Sequence, residues 1–157
     1  MGTQISSIFG ASTAITVTGF ASLASSTSGV GYQTALISNI SSSEGAMIIR
    51  VYYKITTGTT PTVNNTFQFY LLQGDAASPT ITTDNASASA GGLTIVNAPC
   101  LAVVPVSASS NVAYYGSFVI RNPGPLWGIC IVNSTGAALN ATGSNFTMTY
   151  VTESIST

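Results

Sequence analysis

The chain has 157 residues, of which only seven are charged, and it contains no histidine. About one quarter of an average soluble domain is Asp, Glu, Lys or Arg, so uncharged polar and small residues must cover most of this surface. Arg50, Lys54 and Arg121 are too few for the basic patch that a nucleic-acid partner requires. No apolar run reaches the length of about 18 residues that crosses a membrane, so we expect neither a nucleic-acid nor a membrane partner.

The first 13 residues differ from the rest of the chain. They have no basic segment followed by an apolar one, so no secretory signal is expected. Ile5, Ile8 and Phe9 lie among Ser, Thr and Gly, a pattern too irregular for a strand and too apolar for a solvated tail. Two interpretations stay open: a disordered terminus, or an extended arm over 1–13 whose Ile5, Ile8 and Phe9 bind a neighbouring subunit.

Beyond the arm, short strands alternate with turn residues. The clearest strand is 46–56, where Ile49, Val51 and Tyr53 share an apolar face, and Arg50 and Lys54 share the other. The next is 66–73, with Phe67, Phe69 and Leu71 on one face. The connector between these two strands contains Gly58 and Pro61, and predicts a long-looped antiparallel hairpin. Further strands are predicted at 14–20, 32–40, 100–106, 113–121, 127–133 and 145–152, with residues 74–92 as a long loop holding one short strand around 80–83.

About eight short strands and no helical periodicity predict an all-β fold. We expect one antiparallel β-sandwich domain over residues 1–157, jelly-roll-like in arrangement, because 45% of the chain is hydrophobic and can build a core. The segment 127–132 is apolar on both faces, as is typical of a central strand. Trp127 on this strand, together with Tyr53 and Phe69, is predicted to anchor the core.

Catalytic residues are not expected. Without histidine, a Ser or Thr nucleophile lacks its usual base, and the four acids, Glu44, Asp75, Asp84 and Glu153, fall in turns or near the terminus. Asp75 and Asp84 lie in one loop, so a shared Ca²⁺ stays open beside the alternative of two solvated loop acids. We therefore predict a protein that is not an enzyme and that has no cofactor and no metal.

The two cysteines, Cys100 and Cys130, both lie in apolar, strand-like segments. Two cysteines do not form the disulfide framework of a small secreted protein. Two small buried side chains are predicted, and a bridge between them is the alternative.

One block is more specific than composition. Residues 120–145 contain a Gly-Pro-x-Trp-Gly turn that leads into a strand at 124–128, an Asn-x-Thr-Gly hairpin at 133–136, and an Ala-Leu-x-Ala-Thr stretch at 138–142. The block resembles a recurring segment in small structural proteins of tailed bacteriophages, and 53–62 with 70–75 resembles the first hairpin of that family. The resemblance spans roughly residues 46–150.

The resemblance implies a virion component, assembled in the host cytoplasm and acting as a head decoration or cement protein. We expect it to form a homo-oligomer, a trimer, and to bind the major capsid protein or other virion proteins. The scarcity of charge predicts that this binding is nearly independent of salt. Alternatives are a tail or fibre component, or a carbohydrate-binding β-sandwich using exposed aromatics. The aromatic candidates for sugar stacking are Tyr32, Tyr52, Tyr70, Tyr114 and Tyr115.

Overall fold

The computed structural model describes residues 6–39, 46–76 and 81–156. These parts of the chain form eleven strands and three short 3₁₀ helices, at Thr18–Phe20, Thr83–Asn85 and Gly143–Asn145. The strands are β1 (Ser6–Phe9), β2 (Thr13–Ile15), β3 (Val30–Gln33), β4 (Ile37–Ser38), β5 (Ile48–Thr56), β6 (Thr66–Gly74), β7 (Gly91–Thr94), β8 (Cys100–Pro105), β9 (Ala113–Arg121), β10 (Leu126–Ser134) and β11 (Thr147–Ser156).

The strands form two antiparallel sheets that pack face to face. The five-stranded sheet has the order β1-β11-β5-β9, with β2 also on β11. The six-stranded sheet has the order β7-β3-β10-β6-β8, with β4 also on β10. The prediction of an all-β antiparallel sandwich is confirmed, with eleven strands in the described residues instead of about eight. Strand β10 is central and is buried on both faces from Leu126 to Asn133.

The predicted hairpin of 46–56 with 66–73 is wrong. Strands β5 and β6 lie in different sheets, and the connector between them crosses the sandwich. Both strands carry one apolar face, and here each face is buried against the other strand's sheet. The 133–136 segment is likewise no hairpin, because β10 and β11 belong to opposite sheets. Alternation of side chains shows which face is buried, but does not show which strand lies alongside.

Several strand boundaries also differ from the sequence prediction. Residues 6–9, judged too irregular for a strand, form β1 and pair with β11 through main-chain hydrogen bonds, which need no apolar alternation. The predicted strand 14–20 stops at Ile15 and continues into a 3₁₀ turn. Within the described part of 80–83, Thr82 makes only an isolated bridge to Gly74, and the short strand of this region is β7 instead.

The predicted strand 32–40 is split into β3 and β4 where the chain passes over β10. At the break, the Thr34 N–H donates to the Ile129 carbonyl (2.8 Å), and the Thr34 hydroxyl accepts from the Ile129 N–H (3.1 Å). Leu36 then lies over Gly128, where a Cβ would come within 2.7 Å of the Leu36 side chain. A threonine hydroxyl thus replaces a strand carbonyl, and a glycine makes room for the crossing chain.

The outer faces of the two sheets differ. On the six-stranded sheet, Leu72 and Cys130 are buried beneath Ala86 and Ala98, with Leu93 and Ile95 packed beside them. The segments 83–90 and 95–98, on either side of β7, therefore cover part of the outer face of this sheet. No comparable cover lies over the outer face of the five-stranded sheet in the described ranges, where Tyr115 is 73% exposed.

Candidate functional site

All three basic residues of the chain lie on the uncovered face of the five-stranded sheet. Arg50 and Lys54 alternate with the buried positions of β5, and so point outward. Strand β9 pairs with β5 so that Arg121 lies opposite Ile48, on the same face. The antiparallel pairing thus gathers cations that are far apart in sequence. We call this surface the cationic face, defined by Arg50, Tyr52, Lys54, Tyr115 and Arg121.

Exposed aromatic rings lie between the cations. Tyr115 is directly opposite Lys54 on β9, and Thr147 is directly opposite Lys54 on β11. Tyr52 is two residues before Lys54 and is 45% exposed. Together with the edge of Tyr53, these residues line a shallow groove of about 290 Å³. The groove is mostly apolar, and Lys54 is the one charged residue among those that line it.

Glu153 is the single acid that we find on the cationic face within the described residues. It pairs with Ile48 of β5 on one side and with Phe9 of β1 on the other, so all three side chains share the outer face. The formal charge of the face is therefore three positive minus one negative, or +2. The net charge of the whole chain is −1, so the charge is distributed unevenly.

The residues predicted to bind a partner are placed as follows. Ile5 lies outside the described residues. Ile8 and Phe9 are on β1, and are 52% and 63% exposed. Because they are neighbours in one strand, they point to opposite faces, and only Phe9 extends the cationic face. Their main chain is paired with the protein's own β11.

The residues predicted as core anchors lie between the sheets. Trp127 is 1% exposed and packs edge to face on Tyr150, with ring centroids 5.2 Å apart. Phe69 is fully buried, and Tyr53 packs partly buried against the same core. Burial raises the pKa of the Tyr53 hydroxyl above its ordinary value. These rings support the fold and leave little area for a partner.

Near Trp127, the sandwich opens into a cleft of about 390 Å³ between the sheets. Its wall includes Ser38, Thr152 and Ser154, with Trp127 and Tyr150 beside them. No Asp, Glu, Lys or Arg is among the described residues that line it. The cleft therefore offers hydroxyl groups and aromatic edges for hydrogen bonding and packing, but no acid–base pair.

Three of the five tyrosines considered for sugar stacking already make contacts within the chain. Tyr32 packs edge to face on Phe20, and the Tyr70 hydroxyl donates to Gln68 at 3.1 Å. The Tyr114 hydroxyl accepts from the Ser107 N–H at 2.7 Å. Tyr52 and Tyr115 remain open, and both belong to the cationic face.

The carboxylate of Asp84 serves the main chain. One of its oxygens accepts from the N–H groups of Val96 and Ala98 (both 3.0 Å), and the other accepts from Asn97 (2.9 Å). Partial burial raises the pKa of this carboxyl, but the three N–H donors outweigh burial and hold the pKa below its ordinary value. Asp84 thereby fixes the loop that covers the six-stranded sheet.

Metal ligands do not gather in the described residues: no three of His, Cys, Asp and Glu lie close enough to hold an ion. Asp75 accepts from the Ile81 N–H at 3.3 Å, whereas Asp84 accepts from the main chain of Val96, Asn97 and Ala98. The Ca²⁺ alternative for Asp75 and Asp84 therefore gains no support from the geometry.

Both cysteines are free. Cys130 is fully buried, but Cys100 is exposed, which corrects the prediction of two buried side chains. Tyr70 of β6 lies between them and pairs with Cys100 on one side and with Cys130 on the other. Two strand spacings separate the cysteines by about 9–10 Å, which is too far for a disulfide. Burial, with a smaller contribution from the charge of Asp84, raises the pKa of Cys130 to about 12.

No protein-family model, curated protein or solved structure matches this chain. Among the described residues, no helix has the length and apolar character to cross a membrane. The cationic face combines all three basic residues of the chain with exposed tyrosines, and we take it as the candidate site. Sequence reasoning placed Arg50 and Lys54 together on one strand face, but missed Arg121, because its position depends on the β5–β9 pairing.

Proposed function

We propose that the chain is a non-enzymatic virion structural protein of the head decoration or cement type. It forms a homo-oligomer and binds the head shell through the cationic face. The observation that carries the proposal is the asymmetry of the sandwich. One sheet is covered by the protein's own chain, whereas the other presents exposed tyrosines and all three basic residues.

The composition of this face suits a protein partner. Tyrosine and arginine are enriched at protein interfaces and supply much of their binding energy. Tyr52 and Tyr115 contribute apolar area together with a hydroxyl that can find a hydrogen-bond partner. The sheet beneath them is held by main-chain pairing on both sides of β5, so little order has to be gained on binding.

The charge of the face indicates the chemistry of its partner. A face of charge +2 is complementary to a carboxylate-bearing region on the major capsid protein or on another virion protein. Three cations neutralise far fewer phosphates than nucleic-acid binding proteins do, so a polyanion is the less suitable ligand. The low total charge keeps the contact mainly apolar and uncharged.

The test uses phage heads stripped of accessory proteins, incubated with the purified chain and sedimented. We expect the wild-type chain to co-sediment at saturable stoichiometry. Tyr52→Ala with Lys54→Ala should weaken binding at least about tenfold. Val96→Ala is the matched control, because Val96 is 75% exposed but lies outside the cationic face. Failure of the wild-type chain to bind heads would overturn the proposal.

Salt provides a second measure. From low to high salt, affinity for the heads should fall by no more than about tenfold, because few ion pairs form. A loss of several decades would contradict an interface that is mainly uncharged.

Gold labelling of intact particles locates the protein, and a label on the tail or fibre would favour that alternative position.

A carbohydrate-binding role is the second candidate. The groove between Tyr52 and Tyr115 favours it, because an exposed ring can pack on the apolar face of a sugar while Lys54 and Thr147 reach its hydroxyl groups. A glycan array is the direct test. Binding that is lost in Tyr115→Ala would support this role, and an array without hits would dispose of it.

A further inference from the structure

Strand β9 is an edge of the five-stranded sheet, and its outward main-chain groups can be assigned. Val112 accepts from the N–H of Thr57, and Asn122 donates to the carbonyl of Met47. Both pairs continue the β5–β9 register. In an antiparallel pair, alternate residues exchange these bonds, so the even-numbered residues of β9 bond to β5. The odd-numbered residues direct N–H and C=O away from the sheet.

The outward groups therefore belong to five residues spaced evenly along the edge: Ala113, Tyr115, Ser117, Val119 and Arg121. These outward N–H and C=O groups point away from β5. Within the described residues, no other strand or loop forms a main-chain hydrogen bond with them. Ser117 is at the centre of the nine-residue strand, and its side chain is exposed.

The other edges carry the features that normally prevent pairing with another chain. Strands β1 and β7 have four residues each, and β7 begins with two glycines. Strand β8 ends in Pro105 and pairs irregularly with β6 at Phe69 and Tyr70. Short strands, prolines and bulges are the usual protection of sheet edges. Strand β9 has no proline, no irregularity in its register and one charge, at its last residue.

We infer that β9 pairs antiparallel with β9 of a second copy, about a two-fold axis at Ser117. The β9 pairing is the contact through which the homo-oligomer proposed above would form. It rests on the proposed function in one respect, which is that copies of the chain associate. The register places Ser117 opposite Ser117 of the second copy, and makes every outward N–H and C=O of the strand available for a ladder bond. Registers centred elsewhere leave the strand ends unpaired.

Side chains are complementary in this register. On the outer face, Tyr115 lies opposite Val119 of the second copy, an aromatic with β-branched pair of the kind that stabilises sheets. Arg121 lies opposite Ala113, so no like charges face each other. On the inner face, Phe118 lies opposite Gly116, where the ring of Tyr53 from the same chain fills the space, so this pair adds no contact across the axis. The two cationic faces become one continuous surface across the axis.

A second copy is a better occupant of the edge than a strand from an unrelated protein, because the complementarity follows from the β9 sequence itself.

The two-fold pair also differs from the trimer implied by the resemblance. In a trimer about a three-fold axis, β9 would have to meet a different part of its neighbour. The masses of the two assemblies distinguish them directly.

The experiment measures the mass of the full-length chain by light scattering across a dilution series. We expect twice the chain mass of 15.9 kDa. Ser117→Lys and Ser117→Glu each place like charges opposite each other across the axis, and should each raise the dissociation constant at least about tenfold. Ser117→Thr adds no charge and keeps the N–H, and should remain dimeric. Circular dichroism and thermal unfolding verify that every variant is folded.

Mixing the two charged variants gives the decisive result. Ser117→Lys and Ser117→Glu place opposite charges across the axis, so their equimolar mixture should recover a dimer, identified as a heterodimer by native mass spectrometry. Ser117→Pro removes only an outward N–H, so it should leave a folded monomer. A wild-type monomer, a wild-type trimer, or dimers unaffected by Lys, Glu or Pro at position 117 would overturn the inference.

The two proposals fail separately. A wild-type trimer that binds stripped heads would reject the β9 pairing and leave the virion role in place. A β9 dimer that is restored by charge exchange, but does not bind heads, would support the pairing and reject the role.

Discussion

The rings of Tyr53 and Phe69 lie 4.6 Å apart, although the two residues belong to opposite sheets. Phe118 of β9 joins them, with its ring centroid 5.0 Å from that of Phe69. Gly116 lies opposite Tyr53, and a Cβ at this position would overlap the Tyr53 hydroxyl. The glycine therefore makes room for the ring that connects the two layers.

Truncation of Phe69 should strongly destabilise the sandwich. Phe69→Ala removes a fully buried ring and leaves a cavity among aromatic neighbours, which lowers the free energy of unfolding by about 3–5 kcal/mol. The loss is measured by urea denaturation with fluorescence detection. Val103→Ala is the control: Val103 is 54% exposed, and the change should stay within about 0.5 kcal/mol. Equal midpoints for the two variants would contradict this role for Phe69.

The alternation within 46–56 and 66–73 identified the buried faces correctly, because a half-buried strand must place its apolar side chains on one side. It did not identify the neighbouring strand. A face of Ile49, Val51 and Tyr53 is equally compatible with pairing beside β6 and with packing across from it. The double-sided apolar run at 127–132, in contrast, requires cover on both faces, which a central strand provides.

Other features left no pattern to detect. Strand β1 depends on main-chain bonds to β11, which any sequence can make. The cover over Cys130 uses Ala86 and Ala98, and isolated alanines in a polar loop carry no periodicity. The cationic face depends on the register that brings Arg121 to β5. These contacts join residues that are distant in sequence, and local patterns do not encode them.

Asp84 should make stability dependent on pH. Its pKa is lower in the folded chain than in the unfolded chain, so it stabilises the fold above the unfolded pKa, and this contribution is lost as pH falls through the folded pKa. Asp84→Asn should lower the free energy of unfolding by about 1 kcal/mol at pH 7, since solvent screens this partly exposed group. Asparagine tolerates the positive φ of 52° at this position.

The difference between wild type and Asp84→Asn should therefore be constant above the unfolded pKa of about 4, and should shrink and disappear as pH falls through the lower folded pKa. Thermal unfolding from pH 7 down to about pH 2 measures it. Asp75→Asn is the matched control. It also replaces a loop carboxylate by an amide, but it leaves in place the three main-chain donors that hold down the pKa of Asp84. A constant difference between wild type and Asp84→Asn across this range would argue against the loop-fixing role.

The Thr34 hydroxyl should be required at the break between β3 and β4, where the pairing with β10 is interrupted. Thr34→Val removes the acceptor of the buried Ile129 N–H, and should lower the free energy of unfolding by about 1–3 kcal/mol. Thr34→Ser keeps the acceptor and should be affected less. Hydrogen exchange should show faster exchange at Ile129 in the valine variant alone. If serine and valine destabilise equally, the hydroxyl has no special role.

The two thiols should differ sharply in reactivity. Cys100 is exposed, whereas Cys130 is buried beneath the loop that Asp84 fixes, and its pKa is raised to about 12. The thiolate is the reactive form, so a disulfide reagent at pH 8 should modify one thiol per native chain and two per unfolded chain. Cys100→Ser should abolish the native reaction, and Cys130→Ser should leave it unchanged. Asp84→Asn should loosen the loop that covers Cys130. The slow modification of Cys130 should then become faster, by a factor set by the loss of local stability in that loop. Two rapidly reacting thiols in the native wild-type chain would contradict the burial of Cys130.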